Sequence, residues 1–265
     1  MPSTLPVDSA VSRVPFRSLG APPAPATSDR TVFRLDQPVI ITIDGPAGTG
    51  KSSVARELAK RLGLDFLDTG AMYRAAAAIS IDHSMDPADE ASLVAKVANA
   101  DLHFDWTTDP PAMLAWGQPM NERIRSADVT RVVSPIAGIA LLREHLVRKQ
   151  RLIAMQHPRL VSEGRDQGSV VFPSAHVKFY LTASCSERAR RRAQQLLDPQ
   201  SAADAAVLNS LAEEIDARDK SDMGRAVGPL TQPLNAVVLD TSEYTFDAVV
   251  DELERIVRKK AQEKD

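Results

Sequence analysis

Cysteine is nearly missing from this chain: Cys185 is the only one in 265 residues. A single thiol excludes an internal disulfide and a cysteine-built metal site, and it fits a reducing compartment. Aromatic residues are also few, at 5%. The histidines (His83, His103, His145, His157 and His176) never fall at H-x-x-x-H spacing, which excludes a zincin-type metal site. No apolar run approaches the ~18 residues of a membrane span. The first residues lack the apolar segment of a secretory signal, so none is expected. Neither sign of charge dominates, with 32 basic and 35 acidic residues. A net charge of −3 argues against wholesale binding of nucleic acid.

What is present is ordinary for a globular protein: 43% hydrophobic and 25% charged residues, enough for one large domain or two small ones. One skew stands out. Of the basic residues 23 are Arg and 9 are Lys. Arginine is favoured where planar anions are gripped by paired hydrogen bonds. Residues 1–35 differ from the rest. The stretch from Gly20 to Ser28 is rich in Pro, Ala and Ser and has no apolar period, which predicts a disordered leader. A targeting peptide is the alternative, because Arg13, Arg17 and Arg30 outnumber Asp8 and Asp29, but transit peptides are amphipathic as well as basic.

From Pro38 the chain alternates strands and helices. Val39–Ile43, Leu64–Leu67, Leu160–Ser162, Val177–Thr182 and Ala236–Leu239 read as five core strands. Ser52–Leu62 reads as a helix, with Val54, Leu58 and Leu62 on one face and Gly63 ending it. Further helices are expected over Gly70–Ile81, Asp86–Ala100, Asp128 to about His157 with a break near Pro135, Ser184–Leu197 and Phe246–Lys260. Ser184 and Glu187 have capping-box spacing. Residues 102–125 alternate around Asp109-Pro110-Pro111, which predicts a small antiparallel sheet. The whole is an α/β fold with a parallel sheet.

Gly45-Pro46-Ala47-Gly48-Thr49-Gly50-Lys51-Ser52 matches G-x-x-x-x-G-K-[ST] in full, with a strand before and an amphipathic helix after. Glycines let several backbone N–H groups face one anion, and the following helix adds the positive end of its dipole. Lys51 can reach the β- and γ-phosphates, and the Ser52 hydroxyl can bind Mg²⁺. Such a loop implies ATP or GTP. None of the twelve glycines has an Asp three residues before it, so the D-x-x-G of regulatory GTPases is missing. Asp219-Lys220-Ser221-Asp222 mimics a guanine-reading N-K-x-D but follows a helical, polar stretch rather than a buried strand, so ATP is the expected nucleotide.

Four more clusters follow: Asp68-Thr69-Gly70-Ala71-Met72-Tyr73-Arg74, Glu163-Gly164-Arg165-Asp166, the arginines Arg188, Arg191 and Arg192 on one helix, and Arg218-Asp219-Lys220-Ser221-Asp222-Met223-Gly224-Arg225 before Ala226-Val227-Gly228-Pro229-Leu230. The phosphate loop and the first two lie at carboxyl ends of strands, where ligands gather in parallel sheets. In this order, from about Val39 to Val257, they resemble the bacterial cytidylate kinases of the nucleoside monophosphate kinase family.

The resemblance implies a P-loop kinase fold. Its five-stranded parallel sheet has order 2-3-1-4-5, counted along the core strands. A core of 36–69, 159–198 and 226–265 carries a monophosphate-binding lobe at 70–158, with the small antiparallel sheet, and a lid at about 199–225. It implies transfer of phosphate from ATP to CMP or dCMP with Mg²⁺, by a cytoplasmic monomer with no nucleic-acid or membrane partner. The nucleotide cradle would be Gly45, Pro46, Ala47, Gly48, Thr49, Gly50, Lys51, Ser52 and the adjoining Ser53. Thr69, Arg74 and Arg165 match positions on the acceptor phosphate or sugar. Ser134, Arg143, Asp166 and Arg225 match positions on cytosine, and Arg218 and Asp222 positions near the sugar and phosphate. Lys51, Arg188, Arg192 and Arg218 would neutralise the transferring phosphates. The metal would sit on Ser52, with Glu163, where Asp is also seen, nearby through water. The segment before Arg143 departs from the family pattern, with Ala140 and Leu142 where Pro and Val are common.

The residues by themselves leave other readings open. The 188–192 arginines could be a solvated helix face, Arg165 and Asp166 an ion pair, and Asp222 a turn cap. Shikimate or gluconate kinases, or an ATP-binding scaffold without turnover, share the phosphate loop.

Overall fold

The computed structural model describes residues 34–262. The expected leader lies outside these residues except for Arg34 and Leu35. Leu35 packs against the core, and its carbonyl accepts a hydrogen bond from Arg159 Nε at 2.8 Å.

In chain order the elements are β1 (Val39–Asp44), α1 (Lys51–Leu62), β2 (Asp65–Asp68), α2 (Thr69–Asp82), α3 (Glu90–Asn99), β3 (His103–Asp105), β4 (Ala112–Ala115), β5 (Gln118–Pro119), α4 (Ala127–Ile136), α5 (Ala140–Gln156), β6 (Arg159–Gly164), β7 (Val177–Thr182), α6 (Cys185–Leu196), α7 (Ala205–Met223), β8 (Val237–Asp240) and α8 (Phe246–Gln262). The main sheet is parallel, in the order β2-β6-β1-β7-β8, which is 2-3-1-4-5 along the core strands. Strands β3, β4 and β5 form the expected antiparallel sheet.

Side chains alternate across a strand, so the central β1 feeds two cores. Val39, Ile41 and Ile43 face α1 and α8, joining Leu58, Leu62, Val250 and Leu253. Ile40 faces the other way, into the core built around α2. That helix is buried almost all round through Ala75, Ala76, Ala77, Ala78 and Ile79, and its small side chains let α4, β6 and the small sheet close on it. Helix α1 begins without an acidic residue or side-chain cap, and Gly63 ends it at φ 64°. Ser184 Oγ accepts the Glu187 N–H at the start of α6, as the capping-box spacing predicts.

The structure adds detail to two expectations and moves one boundary. Pro135 lies inside α4, and the break comes after it at Ala137-Gly138-Ile139, where Gly138 N–H and Ile139 N–H turn back to the carbonyls of Pro135 and Ile136. Pro135 has no N–H to offer the Arg131 carbonyl, and its helix runs on only to Ile136. Helix α3 starts at Glu90, capped by Asp89, rather than at Asp86. The stretch read as a lid is mostly the 19-residue helix α7, packed on α6.

Candidate active site

The phosphate loop leaves β1 at Asp44 and enters α1 at Lys51. Gly48 and Gly50 hold φ of 79° and 87°, left-handed conformations that glycine adopts without a side-chain clash. The uncapped first turn of α1 therefore presents its N–H groups to an anion. Lys51 is buried, with Nζ donating to Pro46 O at 2.6 Å. Burial and then the Arg165 charge pull its ammonium down to about 7. An anion placed there reverses that shift.

Two buried carboxylates flank the loop. Asp44 accepts the backbone N–H groups of Gln167 and Gly168, each at 2.7 Å, and burial pushes it up to about 7. Glu163 accepts from Ser52 Oγ at 2.8 Å, and burial together with Asp68 raises its carboxyl. Its backbone carbonyl accepts from Thr69 Oγ1 at 2.7 Å, which draws the start of α2 to the same point. Arg74 pairs with Asp68 at 2.8 Å.

A second group lies on the side of the α2 lobe. Arg143 and Asp166 form a buried ion pair, and the Arg143 guanidinium stands 5.2 Å over the Tyr73 ring. Burial raises the Asp166 carboxyl, against the pull of Arg143. Asp222 gathers Arg165 at 2.9 Å, Arg225, and Ser134 Oγ at 2.7 Å. Burial opposes its charge, yet Arg165 and Arg225 hold it below the usual carboxylate value. Arg218 is pulled down to about 10 by burial and by Arg165, with Arg74 and Arg192 adding to the repulsion.

The buried Nε atoms of Arg74, Arg143, Arg218 and Arg225 have no hydrogen-bond partner among the described residues. Four orphaned guanidinium donors at one site fit an anionic, hydrogen-bond-accepting ligand. Arg188 is different. It is buried against Asp219 and donates to the carbonyls of Ala47 and Ala183. Arg192 is half-buried and makes no hydrogen bond or ion pair among the described residues.

The cytidylate kinase family model matches residues 41–259. A cytidylate kinase from Azotobacter vinelandii is 43% identical over 219 residues, covering 82% of this chain and 94% of the relative. A cytidylate kinase from Nocardia farcinica is 43% identical over 223 residues, covering 84% and 94%. The chain belongs to the cytidylate kinase family. A shikimate kinase structure from Bacteroides thetaiotaomicron aligns over 83% of this chain and 98% of its own at 12% identity and a TM-score of 0.40, too slight a likeness to bear on the acceptor.

Within this cytidylate kinase framework the loop residues 45–53 lie together, as do Thr69, Arg74, Ser134, Arg143, Arg165, Asp166, Arg218, Asp222 and Arg225. The ion pairs are not those adjacent in sequence: Asp166 pairs with Arg143 and Arg165 with Asp222. Sequence reasoning missed Asp44 and Asp219. A carboxylate closing a buried strand was a usable signal for the first. The second was set aside as part of a chance guanine-motif mimic. Trp106 stacks on His157 with ring centroids 3.8 Å apart, a packing role within the lobe.

Proposed function

We propose that this cytidylate kinase family member transfers the γ-phosphate of ATP to CMP or dCMP, releasing ADP and CDP or dCDP. The observation that carries the reading is the end of β6. Glu163 touches Ser52 of the phosphate loop, and three residues later Asp166 pairs with Arg143 of the acceptor lobe. One strand end thus joins the phosphate loop to a buried polar cluster of the acceptor lobe.

In this reading the loop amides and Lys51 hold the donor phosphates. Arg192 and Arg218 neutralise charge on the transferring group, while Arg188, committed to Asp219 and two carbonyls, braces the loop. Thr69, Arg74 and Arg165 hold the acceptor phosphate and sugar, and Arg218 and Asp222 border them. Ser134, Arg143, Asp166 and Arg225 read cytosine. The acceptor is already an anion, so positioning and charge neutralisation suffice without a strong general base. Among the described residues no cluster of three or more His, Cys, Asp or Glu could hold a metal alone. The donor set fits Mg²⁺ carried mainly by phosphate oxygens and water, with the Ser52 hydroxyl as protein ligand and Glu163 beside it. Bound there, Mg²⁺ would neutralise charge shared by the β- and γ-phosphates.

The same reading makes 36–69, 159–198 and 226–265 the core, 70–158 the acceptor lobe and 199–225 the lid of a cytoplasmic monomer acting on small nucleotides. No helix among the described residues is long and apolar enough to cross a membrane. The test is an acceptor screen with ATP and Mg²⁺ against CMP, dCMP, shikimate and gluconate. Turnover of the two cytidylates alone is expected. Turnover of shikimate or gluconate instead, or ATP binding with no acceptor at all, would overturn the reading.

A further inference from the structure

Asp219 carries a feature that the nucleotide-binding roles above leave unused. It lies on α7, is buried, and commits both carboxylate oxygens. Oδ1 accepts the Ala47 N–H of the phosphate loop at 3.0 Å, from 172 residues away in sequence. Oδ2 pairs with Arg188 of α6. Arg188 donates in turn to the Ala47 carbonyl at 3.0 Å and to the Ala183 carbonyl at 3.1 Å. A single ion pair between two helices therefore grips both polar ends of Ala47. The loop is tightened around the same place: Thr49 Oγ1 and Lys51 Nζ both donate to Pro46 O. The neighbour of Asp219 on α7 is Arg218, whose half-buried guanidinium feels Arg165, Arg74 and Arg192.

We propose that Asp219 is a positioning residue that docks α7 onto the crest of the phosphate loop, so that the loop's shape and the placement of Arg218 over the phosphates are set by one buried contact. The inference rests on the phosphotransferase reading above but not on the identity of the acceptor base. Two of these contacts, from Asp219 to the Ala47 N–H and to Arg188, tie α7 directly to the loop and to α6 when the helix is docked. Arg218 sits one residue along the same helix, so docking at Asp219 fixes where its guanidinium lies. Misplacement of about 1 Å at a phosphoryl-transfer site lowers turnover by about 10²-fold.

The experiment compares wild type, Asp219→Asn, Asp219→Ala and the double variant Arg188→Met/Asp219→Ala. Three quantities are read for each: melting temperature, kcat with saturating ATP and CMP, and ADP released without an acceptor. Asparagine still accepts from Ala47 N–H but offers Arg188 no charge, so kcat should fall about tenfold. Alanine removes both contacts, and kcat should fall about 10²-fold. Asp219→Ala leaves Arg188 buried and unpaired, which by itself lowers stability. The double variant removes both charges and should recover most of the melting temperature while kcat stays as low as in Asp219→Ala. Acceptor-free ADP release relative to kcat should rise in both alanine-containing proteins, because a loosened α7 excludes water less well. A double variant that regains kcat together with stability would make the pair merely structural and overturn the proposal. So would Asp219→Ala with wild-type kcat. Failure of wild type to use CMP would instead overturn the functional reading.

Discussion

Lys51 shows how a side chain can be costly to the empty protein and necessary to the loaded one. Its ammonium is buried beside Arg165 and pulled down to about 7, against 10.5 for the ordinary group. The folded protein then binds fewer protons than the unfolded chain between those values, so this contribution to stability rises with pH across that window and is lost as pH falls through about 7. Asp44 has the opposite sense: raised from 3.8 to about 7, its contribution is full below the unfolded value and lost as pH rises through about 7. Lys51→Met should therefore melt higher than wild type at pH 7, with the difference shrinking toward pH 10 in a series of thermal melts. The same variant should lose at least about 10²–10³-fold in kcat, since the charge it deletes acts on developing phosphate negativity. A folded Lys51→Met protein with wild-type turnover would contradict the phosphate-loop assignment. Lys51 and Ser52 were legible in the sequence because a short motif carries their spacing. Asp219 was not, since its partner Ala47 lies 172 residues away and only the fold brings them together.

Among the elements, α7 is the one whose character was least legible. Its polar composition reads as a mobile stretch, but Asp204 accepts the N–H groups of Ala206 and Val207 and starts a regular helix, while only Ile215, Asp219 and Asp222 are buried along it. An element held by few buried side chains opens at low free-energy cost. Asp204→Ala should remove about 1 kcal/mol from the local stability of α7 and speed amide exchange in its first turns. Unchanged exchange there would mean that tertiary contacts, not the cap, start the helix. In the intact protein, exchange over 205–223 should slow when an ATP analogue and CMP bind together, because the lid reading has both ligands drawing on Arg218 and Asp222. No added protection would remove the lid. The strands were more legible than the helix ends, for a physical reason: a short β-branched apolar run such as Val39–Ile43, buried except at Ile40, suits a core strand, whereas the α4–α5 break depends on backbone hydrogen bonds at Ala137-Gly138-Ile139 that a nearby Pro135 only hints at.

At the scale of the molecule, the parallel order β2-β6-β1-β7-β8 sets the end of β6 beside that of β1, so that Glu163-Gly164-Arg165-Asp166 comes to lie against the phosphate loop. The alternation of strands and helices predicts a parallel sheet, but the order of its strands came from the family resemblance, because strand order is a property of long-range packing that no local pattern encodes. On the proposed reading this assembly recognises cytosine. Cytosine offers an amine donor at C4 and an acceptor at N3, and uracil offers the reverse. An ionised Asp166 accepts only, and Arg143 donates only. Each buried mismatch costs about 1–3 kcal/mol, so two or three together should favour CMP over UMP by roughly 10²-fold or more. The most direct test is kcat/KM for CMP and UMP in wild type and Asp166→Ala. That preference is expected in wild type, and in Asp166→Ala a large loss with CMP and a narrowed gap to UMP. Equal use of the two nucleotides by wild type, or a preference untouched by Asp166→Ala, would contradict that reading.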